Sequence, residues 1–114
     1  MSEPDAPPPA PEVTTDDLAA AMARGATLVD VRRVDEYAEK HVPGARLIPI
    51  DELGGRADEV PTGETVFVIC AAGGRSLAAA TALNDAGWDT VSVAGGTNRW
   101  AEEGRPLEAG DTAG

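Results

Sequence analysis

The sequence predicts an open α/β sheet, mainly parallel, with helices on both of its faces. Three observations carry this. Val66-Phe67-Val68-Ile69 is an unbroken apolar run, the pattern of a strand covered on both sides. Strand-like and helix-like segments alternate along the chain, as a parallel sheet with crossover helices requires. Between Val66 and Val93 they form a strand–helix–strand unit, whose crossover is expected to be right-handed.

Each element has a local reason. Thr14 is placed to cap a helix, with Asp17 three residues on and Val13 able to staple against Leu18. That helix runs to Arg24, where Gly25 ends it. Thr27 to Val31 reads as a strand, Val34 to Lys40 as a short helix, His41 to Gly44 as a turn and Ala45 to Ile48 as a second strand. Asp51 to Glu59 has weak periodicity and a Gly54-Gly55 pair, so a broken helix or loop is expected. After Ile69 come a Gly-bearing loop, a helix from Arg75 to Ala86 with Leu77, Ala80 and Leu83 on one face, and a strand at Val91 to Val93.

The 114 residues fit one domain. Residues 1–12 are acidic and hold five prolines, which remove backbone donors, so an extended, mobile arm is expected. The folded unit is expected over residues 13–107, with 108–114 a disordered tail. The net charge of −11 argues against nucleic acid and anionic membrane, because phosphate contacts need clustered Lys or Arg. One cysteine makes neither an intrachain disulfide nor a multi-cysteine metal site. The amino terminus lacks the positive and apolar regions of a secretory signal, and the longest apolar run, Val66 to Ala72, is too short to span a bilayer. A reducing cytoplasm is the expected compartment, where a lone thiol stays available for chemistry.

The chemistry is expected at the carboxyl ends of the strands, where open α/β sheets place their ligands. Asp30 and Cys70 fall there. Cys70-Ala71-Ala72-Gly73-Gly74-Arg75-Ser76 joins a buried strand to a helix and has the parts of an anion cradle. Its glycines let backbone fold tightly, successive N–H groups can turn inward, and the helix start adds partial positive charge. Arg75 adds a full charge at the rim. A thiol in that field ionises more readily, and the thiolate is the nucleophile. Attack on the outer sulfur of a thiosulfate or thiosulfonate gives a cysteine persulfide, which a thiol or cyanide then discharges. This needs no metal and no organic cofactor.

Three motifs make a resemblance specific. Cys-x-x-Gly-x-Arg-Ser at 70–76 resembles the active-site loop of the rhodanese family, single-domain branch. Asp30-Val31-Arg32, Glu36-Tyr37 and His41-Val42-Pro43-Gly44-Ala45 resemble its amino-terminal signature, and Gly95-Gly96-Thr97-Asn98-Arg99-Trp100 its closing motif. They occur in the family's order across about residues 15–105. The resemblance implies a rhodanese-like three-layer fold and sulfur transfer through Cys70. It also implies a loop of sulfurtransferase length, since related phosphatase and arsenate-reductase loops are one residue longer. Ile69 stands where many such phosphatases carry a histidine. Ala71 and Ala72 are uncharged where thiosulfate-preferring relatives often carry basic residues, which leaves the donor open.

Around Cys70 the candidate substrate loop is Ala71, Ala72, Gly73, Gly74, Arg75 and Ser76. Arg75 is read as an anion ligand, because a cation at a helix start otherwise opposes the helix dipole. Ser76 is a secondary candidate that can also cap the helix. Asp30 beside an anion site would raise the thiol pKa, so a supporting role is expected, pairing with Arg32 or another arginine, or accepting backbone N–H bonds. His41 is expected to make a supporting hydrogen bond, Trp100 to anchor packing, and Gly95-Gly96 to form a tight turn. The partners expected are a small anionic sulfur donor, a thiol or cyanide acceptor, and a sulfur-acceptor protein. Competing readings are an oxyanion enzyme and a sulfur-relay or regulatory module with little turnover of its own.

Overall fold

A computed structural model describes residues 7–110. Strands are β1 (Glu12–Val13), β2 (Thr27–Asp30), β3 (Arg46–Leu47), β4 (Val66–Ile69) and β5 (Thr90–Val93). Helices are α1 (Thr15–Ala23), α2 (Val34–Glu39), α3 (Leu53–Arg56), α4 (Gly74–Asp85) and α5 (Gly96–Glu102). The five strands lie in the order β1-β5-β4-β2-β3, and every pairing is parallel. Two short 3₁₀ turns, Ile50–Glu52 and Ala57–Glu59, flank α3, so the segment with weak periodicity is a broken helix.

Alternation along the strands sorts the core into two layers. Val29, Val31, Val66, Val68 and Cys70 face one side, where Leu53 of α3 and Ala79, Ala80 and Leu83 of α4 cover them. Leu28, Phe67, Ile69 and Val93 face the other, against Leu18 and Ala21 of α1, Tyr37 of α2 and Trp100 of α5. Each such valine or leucine contributes about 1.5–3 kcal/mol by leaving water, and β4, buried at all four positions, gains on both faces.

α1 starts where the sequence places it. Thr14 Oγ1 accepts from the Asp17 N–H at 3.0 Å, and Asp17 Oδ2 accepts from the Thr14 N–H at 3.0 Å. This box satisfies two N–H groups that the helix cannot pair internally.

The ends of the chain are more engaged than composition suggests. Glu12–Val13 forms an edge strand paired to β5, Ala10 is buried, and the Ala10 N–H donates to Thr81 Oγ1 at 2.9 Å. At the other end Glu108 exchanges backbone hydrogen bonds with His41 at 2.8 and 2.9 Å. Residues 1–6 of the expected arm and 111–114 of the expected tail lie outside the described residues.

Candidate active site

β4 ends at Ile69, and the next residue, Cys70, opens the loop into α4. Its side chain is 1% exposed. The Gly73 N–H donates to Sγ at 3.1 Å, and Ser76 Oγ lies 3.4 Å from Sγ. Gly73 takes φ +115°, a left-handed conformation open to glycine, and so turns its N–H inward to cap the cradle. Ser76 sits in the first turn of α4, and its hydroxyl also reaches Gly73 O at 3.2 Å and Ser92 Oγ at 2.8 Å.

The cradle is shaped from behind by α5. Thr97 and Asn98 donate their N–H groups to the carbonyls of Cys70 and Ala71 at 2.9 and 3.0 Å. Those bonds turn the loop carbonyls outward and leave its amides for the sulfur. Gly96 lies so close that a Cβ on it would stand 2.5 Å from both carbonyl oxygens. The Gly95-Gly96 pair, expected as a tight turn, is thus also the start of a helix and the back wall of the loop.

Two effects act on the Cys70 thiol. Burial pushes its pKa up. The Ser76 hydroxyl and the backbone N–H groups of Ser76, Gly73 and Ala72 pull it down, and the net direction is down. The pocket therefore favours a thiolate without a neighbouring base.

The other sequence candidates occupy defined places. Arg75 is paired with Glu36, Nη1 to Oε1 at 2.8 Å and Nη2 to Oε2 at 3.0 Å. Asp30, fully buried, takes three bonds from the Arg32 guanidinium at 2.8–3.2 Å and one from its N–H at 3.1 Å. Arg32 also donates to Lys40 O at 2.8 Å. His41 stacks on Tyr37 with ring centroids 3.7 Å apart and places Nδ1 2.8 Å from Tyr37 O. Trp100 Nε1 donates to Pro106 O at 2.6 Å. The structure therefore brings Ser76, Gly73 and Gly96 to Cys70, and sets Asp30, Arg32, His41 and Trp100 in separate contacts that brace β2, α2 and α5. Ala72 and Gly74 are exposed, and Ala71 partly so, at the mouth.

Sequence reasoning missed Ser92. Its signal was present: a serine inside Val91-Ser92-Val93 is a polar residue in a run expected to be buried, and such a group needs a partner. Glu36 stands in the Glu36-Tyr37 motif, but its tie to Arg75 spans 39 positions and has no local signature.

Fold and site together define a parallel-sheet α/β protein with a buried cysteine in a backbone cradle. The chain belongs to the rhodanese family: the model of the rhodanese-like domain matches residues 14–103. It is 40% identical over 85 residues to the thiosulfate sulfurtransferase GlpE of Actinobacillus pleuropneumoniae, covering 74% of this chain and 79% of that one. It is 35% identical over 74 residues to the putative sulfur carrier protein YrkF of Bacillus subtilis; the match takes in 64% of this chain but only 40% of that longer protein. A rhodanese-related protein from Thermoplasma volcanium superposes with a TM-score of 0.81 at 33% identity, over 86% of this chain and 97% of that one. These relatives support sulfur transfer as the general activity. No helix among the described residues is long and apolar enough to cross a membrane.

Proposed function

We propose that this protein is a sulfurtransferase that carries sulfane sulfur as a persulfide on Cys70. The observation that carries the reading is the pair of polar groups around Sγ, the Gly73 N–H donating to it at 3.1 Å and Ser76 Oγ lying 3.4 Å away. The Cys70 thiolate attacks the outer sulfur of a donor such as thiosulfate. An S–S bond forms to Cys70, the donor's S–S bond breaks, and sulfite leaves with the electron pair. Cyanide or an acceptor thiolate then attacks the terminal sulfur and Cys70 departs as thiolate. The inward amides stabilise the anionic sulfur before and after transfer. A reducing cytoplasm suits this chemistry.

The test is thiosulfate-dependent thiocyanate formation by wild type and by Cys70→Ser. Equal rates in the two would overturn the reading. Cyanide-sensitive addition of one sulfur to wild type is the expected companion result, since a sulfinate of nearly equal mass would persist.

A second reading, a sulfur-relay module with little turnover alone, is favoured by one observation. Arg75, the cation nearest the mouth by sequence, is occupied by Glu36, and Ala71 and Ala72 bring no charge. A doubly charged small donor gains little there, whereas a protein persulfide brings its own contacts. Transfer to an acceptor protein far faster than to cyanide would establish it.

A further inference from the structure

Ser92 lies on β5, is completely buried, and its hydroxyl meets Ser76 Oγ at 2.8 Å. Its backbone is pinned on both sides: it pairs with Val68 of β4, and its N–H donates to Pro11 O at 2.9 Å. Sheet alternation turns its side chain toward the α4 face, the side on which Cys70 also lies.

Counting protons gives this contact a purpose. Ser76 has one hydroxyl proton. While Cys70 is a thiol, S–H donates to Ser76 Oγ, and Ser76 donates to Gly73 O at 3.2 Å. When Cys70 ionises, its S–H bond breaks, the electron pair stays on sulfur and the proton goes to water. The thiolate already accepts from the Gly73 N–H, and Ser76 gives it a further donor by swinging its proton to Sγ. Gly73 O is not orphaned by that swing, because the Leu77 N–H already donates to it at 3.1 Å. Ser76 Oγ, however, has lost the S–H that donated to it. The Ser92 hydroxyl, which is the donor in their 2.8 Å contact while the Ser76 proton points to Gly73 O, is then the donor left to it.

We propose that Ser92 is a positioning residue of the sulfur site, its hydroxyl holding that of Ser76 as a donor to the Cys70 thiolate. The proposal rests on Cys70 being the nucleophile; among the described residues the Ser92 hydroxyl is hydrogen-bonded to Ser76 and not to the sulfur. A merely structural serine would affect unfolding and leave the thiol's acidity alone.

The experiment is the pH profile of Cys70 alkylation by iodoacetamide, which reads one thiol because the chain has one cysteine. Ser92→Ala is expected to move the midpoint up by about half to one pH unit and slow alkylation at neutral pH by about three- to tenfold, with the alkaline plateau unchanged. Ser92→Thr, which keeps the hydroxyl, should restore the wild-type midpoint. In a Ser76→Ala background Ser92→Ala should add no further shift. An unchanged midpoint in Ser92→Ala overturns the proposal, as does an additive shift in the double variant. Should Ser92→Ala not fold, Ser76→Ala decides alone: a wild-type midpoint in that variant removes the donor on which the chain depends. Alkylation needs no sulfur donor. Shifted midpoints without sulfur transfer would therefore overturn the sulfurtransferase reading and leave the hydroxyl chain standing.

Discussion

Glu36 holds Arg75 in a two-point ion pair, with Nη1–Oε1 and Nη2–Oε2 distances of 2.8 and 3.0 Å. The pair joins α2 to the first turn of α4 across the mouth of the Cys70 loop. Its effect is to spend the loop's cation on a protein carboxylate. The same contact brings the Glu36 carboxyl down to about 2, with the Arg75 hydrogen bonds as the main cause. Glu36 thus stays charged at neutral pH.

Freeing Arg75 should therefore change substrate use more than stability. Glu36→Gln is expected to lower the KM for thiosulfate several-fold while costing about 0–1 kcal/mol of stability, the usual worth of a partly exposed pair. Steady-state kinetics and urea unfolding check the two halves separately. Because the folded pKa is depressed, the stability from Glu36 is present above the ordinary carboxylate value and fades as pH falls toward about 2. The difference between wild type and Glu36→Gln should accordingly vanish in strong acid.

The Cys70 thiol offers a second pH test. Its pKa is lowered in the folded chain, with burial opposing and the Ser76 hydroxyl and loop amides prevailing. A lowered folded value means that ionisation stabilises the native state. This gain is complete above the unfolded thiol value, about 8.5, and is lost as pH falls through the folded value. Relative to Cys70→Ser, wild type should gain stability as pH rises through that window. Urea midpoints measured in both proteins from pH 6 to about 9.5 would show it. A constant difference would mean that the cradle does not favour the thiolate.

Gly96→Ala is expected to damage the site from outside it. The new Cβ would press on the carbonyl oxygens of Cys70 and Ala71 at 2.5 Å, and φ is +59°, where side chains are strained. A cost of about 1–3 kcal/mol and slower Cys70 alkylation at neutral pH should appear together. Thermal unfolding and alkylation rates test this; lost stability with unchanged alkylation would show that α5 supports the fold without shaping the loop.

Asp30→Asn should do the reverse. It leaves the buried Arg32 guanidinium short of its partner, and breaking such a pair costs about 3–5 kcal/mol. Asp30 has no hydrogen bond to the sulfur cradle among the described residues, so the pH profile of Cys70 alkylation in the folded variant should stay near wild type. A large change in that profile would place Asp30 in the chemistry.

Much of this molecule is legible in its sequence, for identifiable reasons. β4 announces itself because burial on both faces demands an unbroken apolar run, and α1 because its cap is local. Cys70 and the Gly73–Ser76 turn are legible because a cradle of amides needs glycine and a helix start at fixed spacing. What is harder to read depends on pairings between distant segments. Glu12–Val13 becomes a strand only because β5 offers it an edge, and Pro-rich composition masks that. Gly96–Glu102 hides as a helix because its opening glycines read as a turn. Ser92 shows in the sequence only as a polar residue inside a buried run; its meeting with Ser76 depends on how α4 packs against β5.

The bonds from Thr97 and Asn98 to the loop carbonyls have a consequence for how this chemistry can be moved. The loop from Cys70 to Ser76 is contiguous, and so it looks portable. Its electrical shape is imposed by a helix that follows a further strand, and that helix can press close only because Gly96 has no side chain. Transplanted to another strand–helix junction, the seven residues would carry the thiol and the arginine but not the orientation of the amides. The unit of inheritance is the loop together with its distant backing, and a successful graft must include both.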